Sequence, residues 1–183
     1  MSKVVIAGDA SGTGTFTISA PNGNTDRTLV LPDEAGTIDT LQRAGNVLQV
    51  VQGTTSTSSS TTSTSYQQSL LTASITPTSA TSKIFVLFTT TVVQTTQGNG
   101  VAATIYRDNA TNLGGGTESA LSMFENQYPG GYVWVPSAGN VLDTPSTTST
   151  TSYTLYYKAV TGGTVVVNWA ANKATITLME IAA

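Results

Sequence analysis

Lys83-Ile84-Phe85-Val86-Leu87-Phe88-Thr89-Thr90-Thr91-Val92-Val93 is the stretch that decides the fold class. It is rich in β-branched and aromatic residues and contains no Gly or Pro, so it reads as a strand. Its first part, Ile84–Phe88, is apolar at every position, and both faces are therefore expected to be buried. Upstream, Ser69–Ile75 is a second strand, and Thr76-Pro77-Thr78-Ser79 is the turn between them. Downstream, Gly98-Asn99-Gly100 turns the chain into a third strand at Val101–Arg107.

The same rhythm of short strand and polar turn continues in both directions. Asn46–Gln52 opens the main domain as a strand. Thr54–Ser65 is almost pure Ser and Thr and reads as a loop or an edge strand inside the domain, because strand patterns flank it. Ser119–Phe124 is a strand or one turn of helix. Tyr132–Val135 and Asn140–Leu142 are two short strands. Tyr153–Val160 and Thr164–Trp169 form a hairpin through Thr161-Gly162-Gly163, and Thr175–Ile181 alternates Ile176 and Leu178 with outward Thr. The count is about eight to ten strands with no long helical period. The fold class is all-β, and the architecture expected for residues 46–183 is a jelly-roll-like antiparallel β-sandwich. Residue patterns do not separate it from an immunoglobulin-like sandwich, since many of those lack the Cys pair that is absent here.

Residues 1–45 read as a separate, short extended β arm. Thr15–Ser19 alternates with period two, Pro21-Asn22-Gly23-Asn24 is a hairpin turn, Thr28–Leu31 returns, and a third strand lies near Thr37-Ile38-Asp39. So few short strands bury little apolar area, and a lone hairpin is marginal in water. The arm therefore calls for a partner chain. A homotrimer would supply one, with closed symmetry limiting further association.

Composition narrows the function. Of 183 residues, 9% are charged, against roughly 25% in ordinary soluble domains, and Ser and Thr fill the difference. The net charge is −3 and the seven Lys and Arg residues are scattered, so nucleic acid is not an expected partner. No apolar window reaches the roughly 20 residues a membrane span requires. There is no Cys and no His. The first removes disulfides and thiolate metal sites, and the second removes the commonest general base and transition-metal ligand.

The remaining chemistry is thin. The lysines form no Ser-x-x-Lys pairing. A glycosidase would need two facing carboxylates, for which Asp108, Glu118, Glu125 and Asp143 are the candidates. Asp26, Asp33 and Glu34 lack the ladder of a calcium loop, and the Gly114-Gly115-Gly116 run is not followed by the residues of a phosphate loop. No catalytic, cofactor or metal residue is assigned. One stretch stands out as a binding surface: Asn126–Trp134 sets aromatics and amides on a turn, and Gln127, Tyr128, Tyr132 and Trp134 are the candidate receptor-contact residues. Large rigid rings beside adaptable amides suit recognition of a surface glycan. The same rings would also serve to plug the end of the sandwich or a trimer seam. Gln94–Gly100 is a second exposed-loop candidate, with an ordinary hairpin tip as the alternative.

Several blocks resemble a module found in tail-fibre and virion surface proteins of tailed bacteriophages. They are Gly45–Gln52, Leu70–Val86, Tyr106-Arg107-Asp108 and Ala174–Ile181, and Thr28–Pro32 through Gly36-Thr37 looks like the short β units that precede such modules. The resemblance implies a homotrimer on the particle exterior, assembled in the host cytoplasm. Residues 1–45 would then trimerise the chain and dock it on another virion protein, of the tail or baseplate or of the capsid. It carries no binding or catalytic residues with it. The expected function is a non-catalytic tail fibre or fibre tip that contributes to host attachment. The alternatives are a head decoration or cement protein and, from a different class, a small polysaccharide depolymerase.

Overall fold

The computed structural model describes residues 43–183 without interruption, together with 11–15, 17, 22–24, 26 and 28. The chain divides into two units, Met1–Thr37 and Ile38–Ala183. In the first, Asn22–Asn24 make a bend at the expected turn. The arm strands expected at Thr15–Ser19, Thr28–Leu31 and Thr37–Asp39, and the carboxylates of Asp33 and Glu34, otherwise lie outside the described residues.

The second unit is all-β. Its strands are β1 (Val47–Thr55), β2 (Ser59–Thr61), β3 (Gln67–Ile75), β4 (Lys83–Gln94), β5 (Asn99–Arg107), β6 (Thr111–Asn112), β7 (Ser122–Asn126), β8 (Val133–Asp143), β9 (Thr151–Ala159), β10 (Val165–Val167) and β11 (Ala174–Ile181). Every pairing among them is antiparallel. In the first sheet β4 is central. One of its edges is shared by β11, along Lys83–Thr89, and β10, along Val92–Gln94; its other edge carries β8. β1 continues outward from β11 and β2 from β10. The second sheet runs β3, β9, β5, with β6 and β7 sharing the far edge of β5. The eleven segments thus occupy eight strand positions, four in each sheet.

The two inner faces supply the core. Ile84, Val86, Phe88, Ile176 and Leu178 of the first sheet meet Leu71, Ile75, Ile105, Tyr153 and Leu155 of the second. A smaller cluster of Val92, Val165 and Val167 against Val101, Tyr157 and Ala159 fills the other end. Phe85 and Leu87, expected to be buried, are only half-buried. Their face of β4 is the outer one, and among the described residues no further sheet covers it. The two short strands expected at Tyr132–Val135 and Asn140–Leu142 are a single strand, β8, that runs through Pro136. β8 pairs only with β4, so it is an edge, and an edge tolerates the missing N–H. The Ser/Thr tract holds the end of β1 and the edge strand β2. Ser119–Phe124 resolves toward strand, as β7.

Two polar clasps close the core. At one, Arg107 donates to both carboxylate oxygens of Asp143 at 2.9 Å, and the Tyr153 hydroxyl donates to the same carboxylate at 2.8 Å. This ties β8 of the first sheet to β5 and β9 of the second, and burial followed by the bond to Asp143 drives the Tyr153 phenol far up. At the other, Glu180 is fully buried, and among the described residues it has no cationic partner. It accepts from the Gln49 amide at 2.6 Å and from the backbone N–H and hydroxyl of Thr78, both at 2.7 Å. Gln49, Thr78 and Glu180 belong to three of the sequence blocks quoted above, so these blocks meet at one node.

Burial pushes the Glu180 carboxyl up, but the hydrogen bonds from Gln49 and Thr78 outweigh it, and the group sits below its ordinary value. A folded-state pKa below the unfolded one adds stability above the unfolded value of about 4.3 and loses it as pH falls through the folded value. Glu180→Gln turns one acceptor into a donor that faces other donors. The variant should lose about 2 kcal/mol at neutral pH, and its stability should fall less steeply than that of the parent on acidification. Urea midpoints measured across pH 3 to 7, roughly the carboxylate range, check both.

Candidate functional site

The site grows from an interruption in the last strand position. β10 and β11 both pair with β4, but between them the chain leaves the ladder at Asn168 and makes a single helical turn at Trp169–Ala171. Asn168, Ala170 and Ala171 all adopt left-handed backbone angles, with φ of 58°, 57° and 55°. Asn tolerates this region and Ala does so at a cost. Hydrogen bonds hold the excursion in place. The Asn168 N–H donates to the Thr91 carbonyl at 2.7 Å, and its side-chain amide donates to the carbonyls of Thr55 and Thr57, both at 3.2 Å. The Ser58 hydroxyl donates to the Asn168 carbonyl at 2.6 Å. The result pushes the Trp169 ring outward.

Across the sheet, β8 brings two more rings to the same region. One rung of the ladder runs Ser60, Val166, Val93, Trp134 over β2, β10, β4 and β8. Directly opposed residues share a face, and this rung lies on the outer one. Tyr132 stacks on Trp134, with ring centroids 6.1 Å apart and planes 17° from parallel, and stands 6.5 Å from Trp169. The three rings remain open to solvent: Trp134 is 56% exposed, Tyr132 54% and Trp169 37%. A groove of about 420 Å³ runs beside them, lined by Ser58, Ser59, Ser60, Thr95, Tyr132, Thr164, Val166 and Trp169. Rings and hydroxyls predominate in that lining, and no residue in it is charged.

Of the four candidate contact residues, the structure brings Tyr132 and Trp134 together and sets Gln127 and Tyr128 apart on the β7–β8 turn. Buried Asn126 braces that turn, accepting from the Tyr128 N–H at 2.8 Å and donating to the Gly131 carbonyl at 2.7 Å. Tyr128 is exposed and folds back over Gly130, and Gln127 bonds to Glu125. The Gln94–Gly100 loop contributes Thr95 to the groove, while Gln94 and Asn99 are buried and brace the loop from within. Trp169 is the residue that sequence reading places elsewhere, as the last position of a regular strand. The signal was available: at Asn168-Trp169-Ala170-Ala171-Asn172 the β-branched run of Val165–Val167 gives way, around Trp169, to alanines and asparagines of low strand propensity.

The four carboxylates considered for hydrolysis each have a partner of their own. Asp108 accepts from the Ser152 N–H at 2.8 Å, Asp143 is held by Arg107 and Tyr153, and Glu125 bonds to Gln127. Glu118 pairs at 2.8 Å with Lys158, a lysine that the sequence reading passes over and that also lies 5.0 Å above the Tyr66 ring. The Tyr66 hydroxyl donates to the Glu118 carbonyl at 2.7 Å, so this group straps the β6–β7 loop over the second sheet. Among the described residues no three acidic side chains converge to hold a metal ion.

Asn168 supplies two side-chain hydrogen bonds and accepts the left-handed backbone. Asn168→Ala should lower stability by about 2 kcal/mol, and Asn168→Gly by roughly half as much, because glycine removes the backbone penalty but not the bond loss. Urea unfolding of both variants checks the order, and tryptophan emission reports whether Trp169 has moved. No family model matches the chain, and no curated protein matches it.

Proposed function

We propose that the chain is a non-catalytic, homotrimeric surface appendage of a tailed bacteriophage, a tail fibre or fibre tip that contributes to host attachment. The observation that carries this reading is the exposed cluster of Tyr132, Trp134 and Trp169 beside an uncharged, hydroxyl-lined groove. A buried core has no need of three large rings left half in water. Such rings are energetically useful only when a partner covers them.

The strand pairings support a jelly roll as the finer architecture. The first strand position pairs with the eighth, the second with the seventh, the third with the sixth and the fourth with the fifth. That is one long antiparallel ribbon, wrapped so that alternate pairs fall in opposite sheets. Self-association is supported by a second rung on the outer face of the first sheet, Val50, Met179, Phe85 and Leu142. Val50 and Leu142 are more than half exposed, and among the described residues no further sheet lies over the rung. In this reading residues 1–45 hold three copies together and dock them on another virion protein.

Two measurements test the proposal. The mass in solution should be that of a trimer, and deletion of residues 1–45 should reduce it; a monomeric full chain, or an unchanged trimer after deletion, overturns the assembly role. Isolated protein should compete with particles for host cells, and Trp134→Ala should weaken the competition at least tenfold. Equal competition by a folded Trp134→Ala variant overturns the attachment role.

A further inference from the structure

We infer that the groove between Trp169, Tyr132 and Ser58–Ser60 is a binding site for an uncharged pyranose unit of a polysaccharide, with Trp169 as the principal platform. The inference deepens the attachment reading above and rests on it for its biological setting, but its chemistry stands on the groove alone.

A pyranose has two kinds of surface. One face presents C–H groups whose hydrogens carry slight positive charge, and they sit well on the negative face of an aromatic ring. The rim presents hydroxyls, each both donor and acceptor, which match neutral hydroxyls and backbone carbonyls. The groove offers both. Trp169 and Tyr132 stand 6.5 Å apart with their planes tilted by 36°, so together they form an angled aromatic wall. Ser60 and Thr164 supply hydroxyls along it, Ser58 and Thr95, whose protons go to the Asn168 and Thr164 carbonyls, supply acceptor oxygens, and Val166 forms an apolar floor. At about 420 Å³ the space is in the range of small-ligand sites.

Charge decides the class of sugar. A uronic or sialic acid needs a cation or a cluster of N–H donors to repay the desolvation of its carboxylate. Among the described residues none that lines the groove supplies a cation. A neutral hexose asks for none. The backbone adds an independent observation. Three non-glycine departures into the left-handed region within four residues, at Asn168, Ala170 and Ala171, cost energy that the core does not require, and they serve to present one ring.

The chain has two tryptophans, Trp134 and Trp169, and both are at this site. Tryptophan-selected fluorescence of the intact protein therefore reports on the groove and its flank and on nothing else. The full-length protein is titrated with three neutral polysaccharides, dextran, mannan and galactan, and with polygalacturonate as the acidic control. At least one neutral polymer should give a saturable change in emission, polygalacturonate none, and Trp169→Ala should weaken the neutral binding at least tenfold. Trp134→Phe, which leaves Trp169 as the sole reporter, should keep the response. No saturable change with any of the three neutral polymers overturns the inference, as does preferential binding of polygalacturonate. So does emission that is indifferent to every polymer but shifts on dissociating the oligomer, which would give the rings to a contact between copies. The two readings fail separately. If Trp169→Ala abolishes competition for host cells while no saccharide moves the emission, attachment stands and the sugar falls. If a neutral polymer binds but competition is unchanged by the variant, the sugar stands and attachment falls.

Discussion

β4 has to satisfy two partners along one edge. It is twelve residues long, and the final strand position reaches it in two pieces, β11 beside its first half and β10 beside its last three residues. An uninterrupted strand would carry the ladder straight through and leave a plain sheet face. The chain instead departs at Asn168, whose N–H makes a last bond to the Thr91 carbonyl, and resumes as a strand at Ala174, so the departure has to be secured from outside the ladder. The amide of Asn168 and the hydroxyl of Ser58 do this, which also fixes where the β1–β2 connection runs. The path of the Ser/Thr tract, the floor of the groove and the stance of Trp169 all follow from that single lapse in pairing.

Hydroxyls take over work that charges do in most domains of this size. Thr72 bonds to Thr154, Thr89 to Thr175 and Thr76 to Thr150 across neighbouring strands, at 2.8 to 2.9 Å. Such cross-strand pairs contribute modestly one by one, and their strength does not depend on ionic screening. Charge is kept for a few places where it is well partnered. Arg107 and Asp143 join the sheets at one end of the core, and Lys158 and Glu118 pin a loop. Glu180 is the exception, a buried carboxylate held among the described residues by neutral donors, and protonating it weakens the fold.

Period-two alternation made most of the sandwich legible in advance. Ile176 and Leu178 point inward and Thr175 and Thr177 outward, as read from the sequence. The errors are as informative. Ile84–Phe88 suggested burial on both sides because an apolar run carries no information about which layer covers it, and Phe85 and Leu87 face outward half-covered. Tyr132–Val135 and Asn140–Leu142 read as two strands where β8 is one, because the edge position that tolerates Pro136 is a property of the sheet and not of the segment. At the candidate site Tyr132 and Trp134 were visible because they cluster in sequence. Trp169 was not, because its proximity to them arises from pairing between residues more than thirty positions apart, through Val166, Val93 and Trp134.

Pro136 has a consequence for crowding. An exposed strand margin is a template on which another chain can lay its own backbone, and proteins packed side by side are most at risk from this. The first sheet has two margins, β1 with β2 on one side and β8 on the other, and β8 carries mid-strand a residue with no hydrogen to offer. Neighbouring copies would therefore find a broken row of donors along that rim. Molecules brought close together could press face against face through side chains, yet along this rim they would resist stitching into a continuous ribbon.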